Sequence, residues 1–542
     1  MQLRVREIHP PHDESRARGL MTRLAIILAL ACVDALPIRA DVESWPMLAL
    51  DAARSGVSET LGGALDAPEW VASIDANGQP IEFVGQSGPV VWRDLLYALG
   101  ESGGQDRLYA IDRLDGAVRV SAPIEPPALD SWSTPLVDEA NERIVVASGR
   151  TLRAFDASTG AEAWSATLEL DVVNASPLVT TDLGPADRLF ITDSDGFFSR
   201  GGGHLYCINI DPRDETSNPF DPGEIIWQLP LNAASSGNSP AYKDGLVYVA
   251  DSGDPNAGLP GMVRAFDATS DSLPGAAVWS FTNVINKGFF GGVSVKDGHA
   301  YAASFSFSGG QASANLVKLD ASTGALVWSS PSNRTDSTPI VLDDGRVLLS
   351  SGLAGFGSLP SLQLFAPDGT RLWDTALATS DDANGNGVIE IGEFFAVGGW
   401  THVPLVVRAA GGAFAYAGTP PLTGGFFGPN TDAHLVDLDL PPDDPGFVIE
   451  SFDGAGSTPA LADGVLYTIG AGGLHAFGDF DGFAPADVNT DCLINAEDLY
   501  AWESGRGARD VTGDGVVDNA DREALIQAIR ANEIDDVTEE QP

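Results

Sequence analysis

Short stretches in which apolar and polar residues alternate run along most of the chain, as at 108–111 and 246–249. Period-two alternation predicts β-strands, and the Gly, Asp and Pro residues between the stretches predict tight turns. Near the C-terminus the spacing changes, and Leu525, Ile526 and Ile529 form an apolar stripe typical of a helix over 522–530. A second short helix is predicted over 499–503. The chain is therefore expected to be mostly β, with a small helical part at its end.

The predicted strands are organised as a repeat. One unit begins with Ser-Thr-Pro-Leu-Val and ends with Phe-Asp-Ala-Ser-Thr-Gly, with a Trp four residues after that Gly, most clearly over 133–164. The beginning of the unit recurs around Pro89, Pro135, Pro177, Pro240, Gly292, Pro339, Pro404 and Pro459. Its end recurs at Gly160/Trp164, Gly223/Trp227, Gly275/Trp279, Gly324/Trp328 and Gly369/Trp373. In the first and seventh copies, Val120 and Glu450 stand where the others carry Trp.

Four antiparallel strands per unit, repeated about a centre, predict the blades of a β-propeller. The eight starts predict eight blades, and the recurring Trp is expected to anchor the contact between neighbouring blades. The eighth copy, 457–477, has three strands but no terminal Trp strand. The strand around Trp70, at 68–72, is expected to supply it, which would close the ring and remove its open edges.

At this point the chain resembles the quinoprotein-like (PQQ-repeat) propellers, which include a bacterial outer-membrane assembly propeller and quinone-dependent alcohol dehydrogenases. The resemblance covers 45–478, and the lead-in Trp45-Pro46 followed by 51–56 looks like the usual start of such proteins. It implies the fold, but the fold hosts both enzymes and scaffolds. The propeller is expected over 67–480, after a lead-in segment over 41–66.

The C-terminal region resembles a type I dockerin. Two loops have the ligand spacing of calcium-binding EF-hand loops and each feeds only an exiting helix. The first loop would bind calcium through Asp487, Asn489, Asp491, Leu493 (carbonyl), Asn495 and Asp498. The second would use Asp510, Thr512, Asp514, Val516 (carbonyl), Asp518 and Asp521. The resemblance implies a calcium-dependent α-helical domain over 484–533 that binds a cohesin-like module, followed by an acidic tail over 534–542.

The first of these loops departs from the pattern, because Cys492 stands where Gly is expected for the sharp turn. A left-handed residue other than Gly costs about 1 kcal/mol, so weaker calcium binding is expected there. The residue pairs that usually contact cohesin are 496–497 and 519–520. These pairs do not match, which counts against a symmetric, two-way binding mode.

A third loop with this spacing lies between the sixth and seventh copies of the repeat. Its calcium ligands would be Asp382, Asn384, Asn386, Val388 (carbonyl), Glu390 and Glu393. An ordinary Asp/Asn/Gly-rich surface loop is the alternative. We therefore expect two calcium ions in the C-terminal domain and consider a third in this loop.

Composition and the N-terminus indicate an exported protein. The 76 acidic residues outnumber the 30 basic ones, for a formal charge of −46, which excludes nucleic acid and anionic membranes as partners. Residues 1–40 are predicted to be a signal peptide, with Met21 as an alternative start, because an apolar run over 24–33 follows Arg23. The run is too short to span a bilayer, and no other segment is long and apolar enough. Secretion is therefore expected, with lipid attachment at Cys32 as a minor alternative.

Four aromatic pairs are predicted to lie on one face of the propeller, as a candidate ligand surface. They are Phe197-Phe198, Phe289-Phe290, Phe394-Phe395 and Phe426-Phe427. The loops that carry them are predicted on the same side of the disc, where stacked rings could bind a glycan or a protein. The alternative is that each pair is buried beneath its own loop.

No catalytic residues are predicted. The adjacent cysteine pair and the haem motif usual in quinone-dependent dehydrogenases of this fold are absent, as are the common nucleophile, zinc and phosphate motifs. PQQ is therefore not expected as a cofactor. The first hypothesis is a non-catalytic binding or scaffold propeller, tethered through the dockerin-like module. A dockerin-borne enzyme of extracellular polysaccharide degradation and a quinone-dependent oxidoreductase are the alternatives.

Overall fold

The described strands form eight sheets about a central axis, each built on four antiparallel strands and two of them extended by a fifth short strand, so the predicted eight-bladed propeller is confirmed. The computed structural model describes residues 43–184, 186–194, 202–231, 237–253, 260–409, 412–422 and 428–478, and single helical positions between 499 and 526. Within these residues, no helix has the length and hydropathy needed to cross a membrane.

The strands are numbered in chain order, and each blade runs from its innermost to its outermost strand. Blade 1 contains β4 (Val90–Trp92), β5 (Leu95–Ser102), β6 (Gln105–Asp112) and β7 (Val118–Pro123). Blade 2 contains β8 (Leu136–Asp138), β9 (Arg143–Ser148), β10 (Thr151–Asp156) and β11 (Glu162–Thr167). Blade 3 contains β12 (Leu178–Val179), β13 (Arg188–Thr192), β14 (His204–Asn209) and β15 (Ile225–Pro230). Blade 4 contains β16 (Ala241–Lys243), β17 (Leu246–Asp251), β18 (Met262–Asp267) and β19 (Trp279–Thr282).

The second half of the ring repeats this order. Blade 5 contains β20 (Gly288–Lys296), β21 (His299–Phe305), β22 (Ala314–Asp320) and β23 (Leu326–Ser332). Blade 6 contains β24 (Ile340–Val341), β25 (Val347–Ser351), β26 (Ser361–Phe365) and β27 (Arg371–Asp374). Blade 7 contains β28 (Leu405–Ala409), β29 (Gly412–Thr419), β30 (Asp432–Asp437) and β31 (Val448–Asp453). Blade 8 contains β32 (Ala460–Ala462), β33 (Val465–Gly470), β34 (Gly473–Phe477) and, from the start of the chain, β2 (Trp70–Ala72).

The closure of the ring is the one predicted from the sequence. Strand β2 pairs antiparallel with β34, with Trp70 opposite Ala476 and Ala72 opposite Leu474. The last blade thus contains both ends of the propeller chain. Two further short strands extend other blades: β1 (Val57–Ser58) pairs parallel with β28, and β3 (Glu82–Phe83) pairs with β5.

The repeated Trp residues lie between blades, as predicted. The indole of Trp70 packs on the turn of blade 1, where a Cβ added to Gly116 would lie 2.5 Å from its ring. Gly324 lies equally close to Trp279, and both glycines have positive φ. The Gly at the end of this turn therefore adopts the positive φ that the turn requires and leaves room for the neighbouring indole.

Helical structure is limited in the described residues. The single-turn helix α1 (Thr375–Thr379) follows β27 because the side chain of Asp374 accepts the backbone N–H of Leu377, at 3.2 Å. In the predicted C-terminal domain, Leu499, Trp502, Asn519, Arg522 and residues 524–526 are helical, and Leu525 is buried. The arrangement of these residues as a dockerin-like domain stays a prediction.

Candidate functional site

The loops of the propeller divide between two faces. Connections from the second to the third strand of a blade, and from one blade to the next, share one face, which we call the loop face. On this face Trp132 and Trp400, from two inter-blade connections, contact Phe305 and Leu353, from second-to-third connections. The opposite face, where the first strand turns into the second, is called the plug face.

Hydroxyl side chains that directly precede the repeated Pro residues form hydrogen bonds between neighbouring blades near the axis. The backbone N–H of Thr134 donates to the Ser176 hydroxyl at 2.9 Å, and the N–H of Ser176 donates to the Ser239 hydroxyl at 2.9 Å. The N–H of Val403 donates similarly to the Thr458 hydroxyl, at 3.3 Å. These hydroxyl groups tie blade 2 to blade 3, blade 3 to blade 4 and blade 7 to blade 8, which gives their recurrence a structural reason.

The lead-in segment crosses the plug face and touches the inner strands of several blades. Trp45 exchanges backbone hydrogen bonds with Val91 of blade 1, at 2.9 and 3.0 Å. The carbonyls of Pro46, Ala52, Ala53 and Gly56 accept backbone N–H groups from blades 2, 4, 5 and 7. The segment therefore covers the axis on this side, and we call residues 45–58 the plug.

Arg54 is the centre of this plug and is fully buried. Its guanidinium donates to the carbonyls of Leu48, Ser176, Pro177 and Pro240, at 2.8 to 3.1 Å. Burial lowers the pKa of Arg54 to about 9, so the side chain is still a cation at neutral pH. The carbonyl oxygens replace its lost water.

An aromatic cluster closes the axis on the loop face. The rings of Trp132 and Trp400 are 5.7 Å apart, Trp400 and Phe305 are 6.0 Å apart, and Phe305 and Phe290 are 4.8 Å apart. A cavity of about 10 Å³ lies near the axis and is lined in part by Trp132, Gln86, Asn174 and Thr401. That volume suits about one water molecule.

The candidate aromatic pairs are only partly described. Phe289 is fully buried and Phe290 is nearly so, because β20 starts at Gly288 and includes both residues. This corrects the expectation that the pair belongs to an exposed surface. Phe394 and Phe395 are half-buried, and Phe395 packs against His434 at 5.0 Å. Phe197-Phe198 and Phe426-Phe427 lie outside the described residues, and their place on this face stays a prediction.

The loop predicted to bind calcium, 382–393, lies exposed on the loop face. The carboxylates at the first and last positions of the loop accept backbone N–H groups of the loop itself. Asp382 accepts those of Asn386 and Gly387, at 3.0 and 2.7 Å. Glu393 accepts those of Asn384 and Glu390. The Asn384 amide donates to Glu390 at 2.9 Å. These oxygens fit a hard cation, and binding of calcium here stays a prediction.

The other predicted calcium ligands lie outside the described residues. These are Asp487, Asn489, Asp491, Leu493, Asn495, Asp498, Asp510, Thr512, Asp514, Val516, Asp518 and Asp521. Across the part of the chain that is described, no three His, Cys, Asp or Glu side chains are grouped as a metal site.

One polar network was not predicted from the sequence. The buried carboxylate of Asp193 accepts the Tyr206 hydroxyl at 2.6 Å and lies 3.1 Å from Nδ1 of His204. Nε2 of His204 lies 3.4 Å from Glu169. Both ring nitrogens of His204 face carboxylates, so the hydrogen-bonding capacity of the ring is used within this network. Asp193 directly follows β13 and His204 begins β14, so the pairing of these two strands brings the carboxylate to the ring, and Glu169 lies in the connection before blade 3.

Calcium at the propeller loop can be counted directly. We expect Asp382→Ala to lower the number of calcium ions bound per chain by one, because it removes the carboxylate at the first ligand position. Equilibrium dialysis of the full chain against calcium gives this number. Asp343→Ala, at another exposed surface aspartate, is the matched control, and an unchanged count in Asp382→Ala would contradict the site.

Buried His402 gives a prediction for acid stability. Nε2 of this residue accepts the N–H of Gly418 at 3.2 Å, and burial lowers its pKa to about 3. Since an unfolded His titrates near pH 6.5, the unfolded chain binds the extra proton between about pH 6.5 and 3. Stability from this group is therefore complete above pH 6.5 and falls as the pH drops, by about 1.4 kcal/mol per pH unit.

The test compares His402→Gln with the unchanged chain, because an amide oxygen can accept the same N–H without titrating. Urea unfolding midpoints measured from pH 7 to pH 4 should fall less steeply in the variant. Parallel curves for the two chains would show that His402 does not carry this part of the pH dependence.

The model of the family described as outer membrane protein assembly factor BamB matches residues 58–211 and 259–399, more than half of the chain. Among solved structures, a europium-containing methanol dehydrogenase has a TM-score of 0.53 at 15% identity, over 86% of this chain and 94% of its own. A quinohemoprotein alcohol dehydrogenase from Comamonas testosteroni has a TM-score of 0.52 at 14% identity, over 97% of this chain and 100% of its own. At such identities the likeness concerns the fold. No curated protein matches the chain. The extent of the family match places this chain in the PQQ-repeat propeller family of the outer membrane protein assembly factor BamB.

Proposed function

We propose that the chain is an exported, non-catalytic binding or scaffold propeller that is held in an extracellular complex by its calcium-dependent, dockerin-like C-terminal module. The observation that carries the proposal is the filled axis. Trp132, Trp400 and Phe305 occupy one end and Arg54 the other, and the cavity beside Trp132 has a volume of about 10 Å³. The outer surfaces are therefore the places where this propeller would bind its partners. The family name, assembly factor, describes a protein that acts through other proteins and supports the same class of function.

A quinone-dependent oxidoreductase is the alternative that the fold itself suggests. The described residues do not fit a tricyclic quinone on the axis, because the space there suits about one water molecule. The free thiol of Cys207 is fully buried within blade 3, and burial raises its pKa. We therefore favour the scaffold and do not expect PQQ.

The proposal is tested by affinity capture from the native secretome with the immobilised full chain. Capture of a cohesin-like protein in calcium, its loss in chelator, and its loss in the double variant Asp510→Ala, Asp514→Ala would support the tether. The Asp382→Ala variant is the matched control, because it removes a calcium ligand from the propeller only. Capture that is equal in all these conditions would contradict a calcium-dependent tether.

A second assay separates the scaffold from the alternative of a polysaccharide-degrading enzyme. The full chain with calcium should release no reducing sugar from plant polysaccharides. Release that tracks the purified chain would overturn the non-catalytic assignment.

A further inference from the structure

The contacts between blades contain a repeated indole site. Six described Trp residues on the outermost strands lie at these contacts: Trp70, Trp164, Trp227, Trp279, Trp328 and Trp373. In several blades the indole lies beside an aromatic ring of its own second strand, as in the pairs Trp70/Tyr467, at 6.0 Å, and Trp279/Tyr248, at 5.9 Å. The turn of the next blade forms the other wall.

The indole N–H is also recognised in this site. Nε1 of Trp70 donates to the carbonyl of Arg113 at 2.7 Å, and Nε1 of Trp279 donates to that of Ala321 at 2.8 Å. The Ala321 oxygen also accepts the Tyr248 hydroxyl, at 3.3 Å. One turn carbonyl thus binds two donors, the tyrosine of the site and the indole that fills it.

Blade 1 keeps this site but lacks its indole. Val120 replaces the Trp, while Tyr97 remains in place and donates to the carbonyl of Ala157 at 3.2 Å. Gly160 is also kept, and a Cβ added there would lie 2.4 Å from Val120. The Ala157 oxygen therefore accepts the Tyr97 hydroxyl. No side chain of blade 1 takes the position from which the indole N–H donates in the other blades.

Blade 7, the other copy without Trp, is covered by the chain itself. Glu450 accepts the backbone N–H of Leu65 at 2.8 Å, and Leu65 is buried among the residues of blades 7 and 8. The lead-in segment therefore fills that contact. The contact between blades 1 and 2 is an open groove.

The groove has the size and lining of a side-chain site. Its volume is about 310 Å³, and its walls include Trp92, Tyr97, Val120 and Ala157. Charged side chains complete the lining: Arg93, Asp94, Asp112, Arg119, Glu142 and Asp156. At its rim the Arg93 guanidinium stacks on Trp92 at 4.0 Å and pairs with Glu142 at 2.8 Å. Both partners of this ion pair are more than half exposed, so little free energy opposes its rearrangement.

We propose that this groove binds a tryptophan side chain of a partner polypeptide. An indole is the group that the same site holds elsewhere in this chain, and Ala157 offers its N–H an acceptor. The polypeptide source is favoured by two observations: β7 is the outermost strand of its sheet, with a free edge, and the indole of blade 8 comes on a strand distant in sequence. Trp side chains in such pockets dominate many protein interfaces. This surface is on the outer rim and does not depend on the calcium-dependent module.

The probe is a fluorophore-labelled hexapeptide with the sequence of residues 162–167, a strand that carries its indole in blade 2. Fluorescence anisotropy should show that it binds the full chain. The same peptide with Trp164→Leu should bind at least about tenfold more weakly, which corresponds to about 1.4 kcal/mol.

Val120→Trp should fill the groove and abolish binding of the peptide. Val120→Met is the smaller substitution, used if Val120→Trp disturbs the fold, and it should weaken binding of the peptide. Val327→Trp, at an exposed outer-strand position of blade 5, should bind the peptide as the unchanged chain does. Equal binding of the two peptides, or full binding by both Val120 variants, would overturn the proposal.

Discussion

Replacement of Trp70 by Ala should lower the free energy of unfolding by about 3–5 kcal/mol, the usual cost of deleting a buried Trp. The side chain is 9% exposed, packs against Tyr467, and donates to the carbonyl of Arg113. It also lies on β2, the strand that completes blade 8 and joins it to the start of the propeller chain. Loss of this indole removes core packing at the closure of the ring. Urea unfolding followed by circular dichroism gives the change in midpoint.

Two variants isolate the cause. Trp70→Phe keeps a ring but loses the N–H donor, so it should be destabilised less than Trp70→Ala. Val71→Ala, at the next position of the same strand, removes a side chain that is 39% exposed and should shift the midpoint little. A midpoint for Trp70→Ala that matches that of Val71→Ala would contradict the role of β2 as the closing strand.

Replacement of Arg54 by Met should destabilise the chain by about 3 kcal/mol or more, because it leaves several buried carbonyls without a donor. Met keeps much of the apolar volume, so the loss reports mainly the hydrogen bonds. The carbonyls belong to the lead-in segment and to blades 3 and 4, and the variant should therefore loosen the plug.

Hydrogen exchange measured by mass spectrometry should then show faster exchange over 45–58 in Arg54→Met. Arg54→Lys is expected to be intermediate, because one ammonium group cannot reach all the carbonyls that the guanidinium binds. Arg93→Met, at an exposed arginine, is the control and should leave both readouts nearly unchanged. Unchanged exchange over the plug in Arg54→Met would contradict its role there.

The fold was predictable because the same sequence signals recur in successive blades. Each blade must pack on the next, so the start of the unit, the turn with its Gly and the Trp four residues after that Gly recur along the chain. The missing strand of the eighth copy was equally readable, since Trp70 has the same pattern at the other end of the chain. Even the two copies without Trp were visible in the sequence.

The filling of the axis was not predicted. The lead-in segment has no periodicity, and Arg54 contacts backbone carbonyls, which leave no trace in residue types. Trp132 and Trp400 did offer a signal, because both lie just before the start of a repeat and away from the usual Trp offset. The Phe289-Phe290 pair is buried because it lies within β20 and not in a loop, and the adjacent Gly291 allows the backbone of residues 336–337 to approach this strand closely.

The central claim is that this propeller is a binding protein without a quinone cofactor. The most direct measurement is incubation of the full chain with PQQ and calcium, removal of free quinone, and assay of dye reduction with primary alcohols. We predict that no quinone is retained and that no dye is reduced. Retention of one quinone per chain together with alcohol-dependent dye reduction would contradict the claim.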